Sequence, residues 1–301
     1  MATECRLRLD YRRNEMEESK KEIIAAVVVT YNRKECLKKN IACLLRQSKR
    51  PDRIYIIDNA STDGTESIVK EFSDREIQYV CLAENMGGSG GFSTGVQMAY
   101  QDGADAIWGM DDDAYPRKEA LQELLKVHEK FGEKVCLWSN CNKDSDFYGE
   151  HKIVSDWMFV GFFVTRAVIE QVGFPRNDMF IYYDDSEYAG RIQASGYTIR
   201  KVRDSVIDHQ DAPSKCYGVI KLGKKVIRVM ALPNQPWRLY YLIRNRIYLN
   251  RKPWKKKIKT LFGPVLRGFF KVLIFQPRNI GVFCKAVTHG IRGKLGKVMV
   301  P

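Results

Sequence analysis

The ordered pattern of the chain begins at Ile23, with the continuous apolar run IIAAVVVT. A β-branched run without polar interruption is typical of a parallel strand that is covered on both faces. The segments RIYIIDNAS, IQYVCLAEN and DAIWGMDDD have a similar character, and apolar residues at helical spacing separate them. We therefore predict a βαβαβα unit followed by a fourth strand, which indicates an α/β nucleotide-binding fold.

Polar side chains occupy the positions where these predicted strands end. They are Thr30, Arg33, Asp58, Asn59, Asn85, Asp111, Asp112 and Asp113. Three successive acids in isolation are most often a solvated turn, but here polar residues end all four strands. Because ligands of open α/β sheets bind beyond the carboxyl ends of the strands, the pattern favours a ligand site over a solvated turn.

A glycine-rich stretch, ENMGGSGGFSTG, lies between the third strand and the next helix. It lacks the G-x-G-x-x-G spacing of a dinucleotide-binding turn and the GK[ST] sequence of a P-loop, so neither NAD nor P-loop chemistry is indicated. We interpret it as a turn whose glycines, Gly88 among them, let the backbone approach a ligand closely. A flexible linker is the alternative.

Charge is distributed unevenly in this chain of 301 residues, whose formal net charge is +14. Residues 200–301 contain 24 Lys and Arg residues and 3 acidic residues, whereas residues 1–199 contain 26 and 33. Eight cysteines without paired spacing indicate neither a disulfide framework nor a zinc site. Residues 1–22 are charged where a signal peptide would be apolar, so we expect a flexible leader and a cytoplasmic protein.

The motifs VVVTYNR, IIDNASTDGT, NMGGSGGF and MDDD follow one another in this order. Together they resemble family 2 of the inverting glycosyltransferases, which use nucleotide-sugar donors and have the GT-A fold. The segment MFIYYDDSEYAGRIQASGYTIRKV resembles the acceptor side of that family, in which a strand ends in a paired acid before a helix. The resemblance covers residues 23–250. It implies a GT-A catalytic domain over 23–215, with a nucleotide-sugar-binding half (23–113) and an acceptor and metal half (114–215).

In that family the acids of a D-x-D motif hold a divalent cation, which stabilises the departing diphosphate. The resemblance assigns this role to Asp111 and Asp113, and His209, at the end of a predicted strand, would complete the metal shell. Carboxylates combined with imidazole favour Mn²⁺ over Mg²⁺. The nucleotide sugar would then contact Thr30, Arg33, Asp58, Asn59, Asn85, Gly88 and Asp112.

Inversion at the sugar requires a base that removes the proton of the acceptor hydroxyl. The family places this base at the second acid of a pair, which is Asp185 here, and Asp184 would lie beside the acceptor. N-capping of the following helix is the alternative role for this pair. Trp157 and Phe159 fit either an aromatic platform for the acceptor or core packing.

The donor and the acceptor are suggested by the resemblance alone. The motifs are most similar to those of bacterial galactofuranosyltransferases, which use UDP-galactofuranose, and rhamnosyltransferases that use dTDP-rhamnose share most of them. The resemblance implies a UDP-sugar donor and a glycan or polyprenyl-linked acceptor in cell-surface glycan biosynthesis.

Residues 216–301 are basic and predicted to be mainly helical. Phe262, Val265, Leu266, Phe269 and Leu273 fall on one predicted helical face, in a stretch too short and too charged to span a bilayer. We predict that this region attaches the protein peripherally to the anionic inner face of the cell membrane.

Two other classes of protein fit the sequence less well. A nucleic-acid-binding protein would explain the basic residues with interleaved aromatics, but it would leave the acids at 111–113 and 184–185 unexplained. A sugar-1-phosphate nucleotidyltransferase shares the α/β sheet. It should carry a glycine-rich loop after the first strand, where this chain has TYNRKECLKKN.

Overall fold

The computed structural model describes residues 21–72, 74–143, 147–209, 217–222, 225–230, 232–252 and 262–300. The predicted leader therefore lies outside the described residues, apart from its last two. The predicted boundary between residues 215 and 216 also lies outside them.

The first half of the fold is the predicted βαβαβα unit with its fourth strand. Its strands are β1 (Ile24–Thr30), β2 (Arg53–Asp58), β3 (Ile77–Cys81) and β4 (Ala106–Asp111), and its helices are α1 (Lys34–Leu45), α2 (Thr65–Lys70) and α3 (Gly87–Gln101). The four strands are parallel, in the order β3-β2-β1-β4. All seven residues of β1 are buried, because α1 packs on one face of the sheet and α3 on the other. The uninterrupted apolar run of β1 reflects this double coverage.

The second half extends the sheet with strands of both directions. It contains β5 (Ala114–Pro116), α4 (Ala120–Phe131), β6 (Val135–Cys141), β7 (His151–Val154), β8 (Phe162–Thr165), α5 (Arg166–Val172), α6 (Asp184–Ala194) and β9 (Thr198–His209). Among the described residues the sheet has nine strands: β3-β2-β1-β4-β8-β6-β9-β5, with β7 paired to β9. The long strand β9 runs antiparallel to β5 and sets His209 opposite Ala114, next to the acidic turn.

The C-terminal region combines a hairpin with helices. The strands β10 (Tyr217–Leu222) and β11 (Lys225–Met230) pair with each other in an antiparallel hairpin. The helices α7 (Pro236–Asn250), α8 (Phe262–Phe275) and α9 (Ile280–Arg292) follow. The helices form a third apolar core, in which Phe180 joins Tyr241, Ile247 and Phe283. A helix of sufficient length and apolarity to cross a bilayer is not found among the described residues.

The glycine-rich stretch differs from its prediction, because α3 already begins at Gly87 and NMGGSGGF is largely helical rather than a turn. A Cβ on Gly91 would lie 2.5 Å from Val29 Cγ1, and a Cβ on Gly95 would lie 2.4 Å from Val27 Cγ1. These glycines therefore allow α3 to pack closely against β1. Glycine lowers helix propensity, so the local sequence resembled a turn although tertiary packing makes it a helix.

Candidate active site

The acidic turn after β4 is bound to the end of β1. Thr30 Oγ1 donates a hydrogen bond of 2.7 Å to Asp112 Oδ2. Arg33 Nη1 donates to Asp113 Oδ2 at 2.9 Å and lies 3.4 Å from Asp112 Oδ1. Asp112 and Asp113 are only 3% and 4% exposed. The structure thus brings together the polar ends of β1 and β4, as the parallel sheet predicted.

Asp111, Asp113 and His209 have the geometry of metal ligands at this edge of the sheet. One ligand atom each of Asp111, Asp113 and His209 lies within 4.8 Å of the others, and His209 Nε2 is 3.0 Å from Asp113 Oδ1. Two carboxylates and an imidazole form a donor set that suits Mn²⁺. Their convergence depends on β9, which returns from almost a hundred residues further along the chain.

The electrostatics of the cluster also favour a cation. Burial raises the pKa of Asp111 well above its usual range, and the charges of Asp113 and Asp112 raise it further. Burial also raises the pKa of Asp112, to about 6. Asp113 is different, because hydrogen bonds and charge from His209 and Arg33 outweigh burial and lower its pKa. The hydrogen bond to Asp113 in turn raises the pKa of His209 to about 10. The raised pKa of Asp111 and Asp112 reflects acids that are buried close to one another, and a bound divalent cation would favour their ionised forms.

Asp58, Asn59 and Asn85 organise the turns beside this cluster. Asp58 is fully buried, and its oxygens accept hydrogen bonds from Ser61 N (2.9 Å) and Tyr79 OH (2.6 Å). Asn59 accepts from Met86 N at 3.1 Å and donates to Gly87 O at 3.2 Å. Asn85 Oδ1 accepts from Gly87 N at 2.8 Å. Direct contact of these three residues with a nucleotide stays a prediction, since their described bonds are made within the protein.

Gly88 has a different environment from its neighbours. A Cβ at Gly88 would meet no atom within 4 Å, whereas a Cβ at Gly87 would lie 2.1 Å from Phe180 O. Open space therefore adjoins the backbone at the N-terminus of α3. Helix N-termini favour anions such as phosphate, which agrees with the predicted place of Gly88 in the nucleotide-sugar site.

The acid pair lies within the first turn of α6, which begins at Asp184. This corrects the expectation that a strand ends in the pair, because residues 173–183 form neither strand nor helix. Phe180, Tyr182 and Tyr183 have φ values of 67°, 68° and 64°. This left-handed backbone costs an L-residue roughly 1–2 kcal/mol, so the surrounding structure must stabilise the segment.

Asp184 is buried and Asp185 is partly exposed at the start of α6. Burial raises the pKa of Asp185, and the neighbouring charges of Asp184 and Asp156 raise it further. Burial likewise raises the pKa of Asp184. Asp184 is also close enough to Asp111 to raise the pKa of that carboxyl. The start of α6 therefore lies near the metal-ligand cluster.

The remaining acid of this turn, Glu187, anchors α6. Its Oε2 accepts a hydrogen bond of 2.9 Å from Arg191 Nε, and Arg191 also donates to the carbonyls of Val172 and Phe174.

The sequence did not point to Asp156, whose carboxylate accepts a hydrogen bond from Ser186 Oγ at 2.8 Å. Its position beside a tryptophan in SDWMF is the sequence signal that could have drawn attention to it.

Trp157 and Phe159 lie in the core beneath the acid pair. Trp157 is 2% exposed, and Phe159 packs against Phe92 and Phe162, with ring centroids 4.7 Å apart in both pairs. Trp157 Nε1 donates to Asp185 O at 3.1 Å. The structure therefore favours the packing alternative over an open acceptor platform, because a buried ring offers no free face to a sugar.

Comparison with known proteins gives three related results. The galactofuranosyltransferase GlfT1 of Mycobacterium tuberculosis is 26% identical over 92% of this chain and 98% of its own length. The dTDP-rhamnosyl transferase RfbF of Shigella flexneri is 24% identical over 91% of this chain and 97% of its own. The structure of a mannosyltransferase from Pyrobaculum calidifontis, in complex with GDP-Man and Mn²⁺, has a TM-score of 0.53 and 17% identity. The structural alignment covers 96% of this chain and 83% of the mannosyltransferase chain.

The fold of the described residues is that of GT-A glycosyltransferases, as the resemblance implied. The sequence profile of glycosyl transferase family 2 matches residues 25–187, from β1 to the first turn of α6. This match spans more than half of the chain and contains both Asp111–Asp113 and Asp184–Asp185. The chain is therefore a nucleotide-sugar-dependent glycosyltransferase and belongs to glycosyl transferase family 2.

Proposed function

We propose that the protein is a metal-dependent inverting enzyme that transfers galactofuranose from UDP-galactofuranose to a lipid-linked or oligosaccharide acceptor. The observation that carries the proposal is the convergence of Asp111, Asp113 and His209, together with Asp184, whose charge acts on Asp111. Inverting transfer needs a stabilised leaving diphosphate on one side of the sugar and a base on the other.

Each part of the site has a role in this proposal. Asp111, Asp113 and His209 would hold Mn²⁺, or Mg²⁺, and the bound ion supplies positive charge to the departing diphosphate. Asp112 remains tied to Thr30 and keeps the acidic turn in place. Asp185 accepts the proton of the acceptor hydroxyl, and its raised pKa suits a base that works near neutral pH.

Galactofuranose is the first choice of donor sugar because GlfT1 aligns over almost its whole length. Rhamnose from dTDP-rhamnose is the second choice, since RfbF aligns over a similar share with similar identity. Incubation with UDP-galactofuranose, UDP-galactose and dTDP-rhamnose in the presence of Mn²⁺ tests the choice through nucleotide release and the anomeric configuration of the product. Release from dTDP-rhamnose alone would replace the first donor by the second, and a product of retained configuration would contradict inversion.

We expect the pH profile of kcat/KM to have an acidic limb near neutral pH, above the ordinary carboxyl range. The reason is that the base acts only when deprotonated, and burial and neighbouring acids raise the pKa of Asp185. Activity should therefore rise with pH through that raised pKa. Asp184→Asn should shift the limb to lower pH, because it removes a neighbouring negative charge. A limb that stays in place in Asp184→Asn would contradict the coupling of the two acids.

We further propose that α8 binds the protein to an anionic membrane surface. Leu266, Phe270, Leu273 and Ile274 are exposed at helical spacing, with Phe270 50% and Ile274 59% accessible. The exposed face shares Leu266 and Leu273 with the predicted one but not Phe269, which packs inward on Phe283 of α9, with ring centroids 6.1 Å apart. The Lys and Arg residues of the C-terminal region complement an anionic leaflet. Each of them near the membrane surface contributes about 1 kcal/mol to the binding free energy.

Replacement of Phe270 and Ile274 by serine should weaken sedimentation with vesicles that contain anionic lipid. Turnover of a water-soluble acceptor should stay unchanged, because neither side chain belongs to the metal-ligand cluster or to the acid pair. Ile153→Ser on β7, where the side chain is 62% exposed, is the matched control. Unchanged sedimentation of the double variant would contradict the membrane proposal. Tight RNA binding that persists at moderate salt would favour the nucleic-acid alternative instead.

A further inference from the structure

The segment Met179–Tyr183 leads directly into Asp184 and Asp185, and it is held on the donor side by α3. Ser89 N donates to Phe180 O at 3.1 Å, and Met179 N donates to Ser89 Oγ at 3.2 Å. The N-terminus of α3, where the nucleotide sugar is predicted to bind, therefore touches the segment that carries the base.

Asn245 of α7 holds the same segment from the opposite side. Its Nδ2 donates to the carbonyl oxygens of Met179, Ile181 and Tyr182, each at 2.9 Å. The side chain is fully buried, at 0% exposure. An amide nitrogen carries two hydrogens, so three carbonyl oxygens around it use its whole donor capacity. Asn245 thus binds the peptide groups on both sides of the left-handed residue Tyr182.

Arg244, the preceding residue, is also fully buried and acts on the same backbone. It donates through Nη2 to Met179 O at 2.9 Å and through Nε to Asn245 Oδ1 at 2.7 Å. Within the described part of the chain no acid forms an ion pair with it, and its guanidinium lies 4.7 Å from the ring centre of Tyr241. A buried cation without a direct ion pair is unfavourable unless its hydrogen bonds are well satisfied, which indicates a specific use of this side chain.

Residues 296–299 also contact the residues around segment 179–183. Arg244 Nη1 donates to Gly296 O at 2.6 Å, and Gly296 N donates to Asp178 O at 2.7 Å. Tyr241 OH donates to Met299 O at 2.8 Å, and its ring stacks on Phe180 at 4.6 Å between centroids. Segment 179–183 therefore lies between α3 on one side and α7 with residues 296–299 on the other.

We infer that Asn245 and Arg244 are positioning residues of the transfer reaction, which fix the backbone of 179–183 and through it the direction of the Asp185 carboxylate. The left-handed conformations of Phe180, Tyr182 and Tyr183 are disfavoured in a free chain, so this path requires external hydrogen bonds. Asn245 and Arg244 supply them at the residues that precede the base. The inference rests on the proposed function, in which Asp185 accepts the proton.

The test is a double-mutant cycle between Asn245→Leu and Asp185→Asn. Asn245→Leu keeps approximate volume but removes the three hydrogen bonds, and we expect kcat to fall about 10–100-fold, the cost of a misplaced catalytic group. Donor affinity should change by less than about twofold, because the acid cluster and Thr30 are not touched by Asn245. In the Asp185→Asn background, Asn245→Leu should lower kcat by less than about twofold, because no base is left to misplace.

A matched control is Tyr55→Phe. It removes the hydrogen bond of 2.7 Å that this buried tyrosine of β2 donates to Asp102 Oδ2, at the C-terminal end of α3 and away from Arg244, Asn245 and segment 179–183. It should lower thermal stability but leave kcat unchanged.

Should Asn245→Leu fail to fold, Arg244→Lys replaces it, because lysine keeps the charge but cannot reach both Met179 O and Gly296 O. The cycle with Asp185→Asn is then expected to show the same non-additivity.

Hydrogen exchange measured by mass spectrometry separates this inference from the proposed function. Asn245→Leu should speed exchange about tenfold or more in peptides covering 179–187, but not in those covering β1 and α1. An equal loss of kcat with and without the Asp185 carboxylate, unchanged kcat, or faster exchange throughout the protein would each overturn the positioning role. Absence of sugar transfer by the wild-type protein would overturn the proposed function, while the exchange result would still decide whether Asn245 holds the segment.

Discussion

Asp185→Asn is expected to lower turnover by roughly 10²–10⁴-fold, the usual contribution of a positioned general base. Asparagine keeps the size of the side chain and can still accept the hydrogen bond that Ser186 N donates to Asp185 Oδ1 at 2.6 Å. It cannot take a proton from an acceptor hydroxyl near neutral pH. Donor affinity should be retained, because the metal-ligand cluster is unchanged. Initial rates of nucleotide release and donor titration measure the two effects separately.

The same substitution distinguishes the base from a helix-capping residue. Asn and Asp stabilise helix N-termini to a similar extent, so a capping role predicts near-normal turnover and a stability cost below about 1 kcal/mol. Glu187→Gln tests the other acid of the same helical turn: because Glu187 pairs with Arg191 and anchors α6, its loss should lower stability rather than turnover. Turnover of Asp185→Asn within a few-fold of wild type would exclude Asp185 and transfer the role to Asp184 or Glu187.

Asp113→Ala and His209→Ala are each expected to weaken Mn²⁺-dependent donor binding by at least about 10–100-fold, since even indirect partners of metal ligands contribute that much. Each change removes one member of the cluster in which the ligand atoms lie within 4.8 Å of one another. Calorimetric titration of the nucleoside diphosphate, with Mn²⁺ and with EDTA, measures the effect. With EDTA the variants and the wild type should bind equally weakly.

Asp208→Ala provides the control for this experiment. Asp208 precedes His209 on β9, but its carboxylate pairs with Arg117 at 2.7 Å and does not belong to the cluster. It should leave Mn²⁺-dependent binding unchanged. If the wild type binds the donor with the same affinity in EDTA as in Mn²⁺, the metal assignment is wrong, whatever the variants do.

Local patterns in the sequence were sufficient to predict the elements of the first half of the fold. The apolar run of β1 predicted a strand covered on both faces, and the order of strands and helices predicted a parallel sheet. In such a sheet the strand ends share one edge, so Thr30, Arg33 and the acids at 111–113 could be placed together before any contact was known. The family motifs then indicated His209 as the third ligand, and β9 does end at that residue.

Several features of the site depended on contacts that no local pattern describes. The family resemblance implied a strand directly before the acid pair, yet hydrogen bonds with Ser89 and Asn245 hold Met179–Tyr183 in a path with left-handed residues. The glycines of α3 resembled a turn because their close packing against β1 is not visible in the sequence.

Hydrophobic periodicity and the order of strands and helices along the chain were enough to predict the fold class, the shared edge of the strands and the residue types that meet there. Periodicity is a local property and can be recognised from a few neighbouring residues at a time. The folded chain was needed to show that Trp157 is core, that Asp58 uses its oxygens within the protein, and that Asn245 contacts the carbonyls before the acid pair. Burial and hydrogen-bond partners are set by residues distant in sequence, such as Asn245 and Tyr182, which are 63 positions apart.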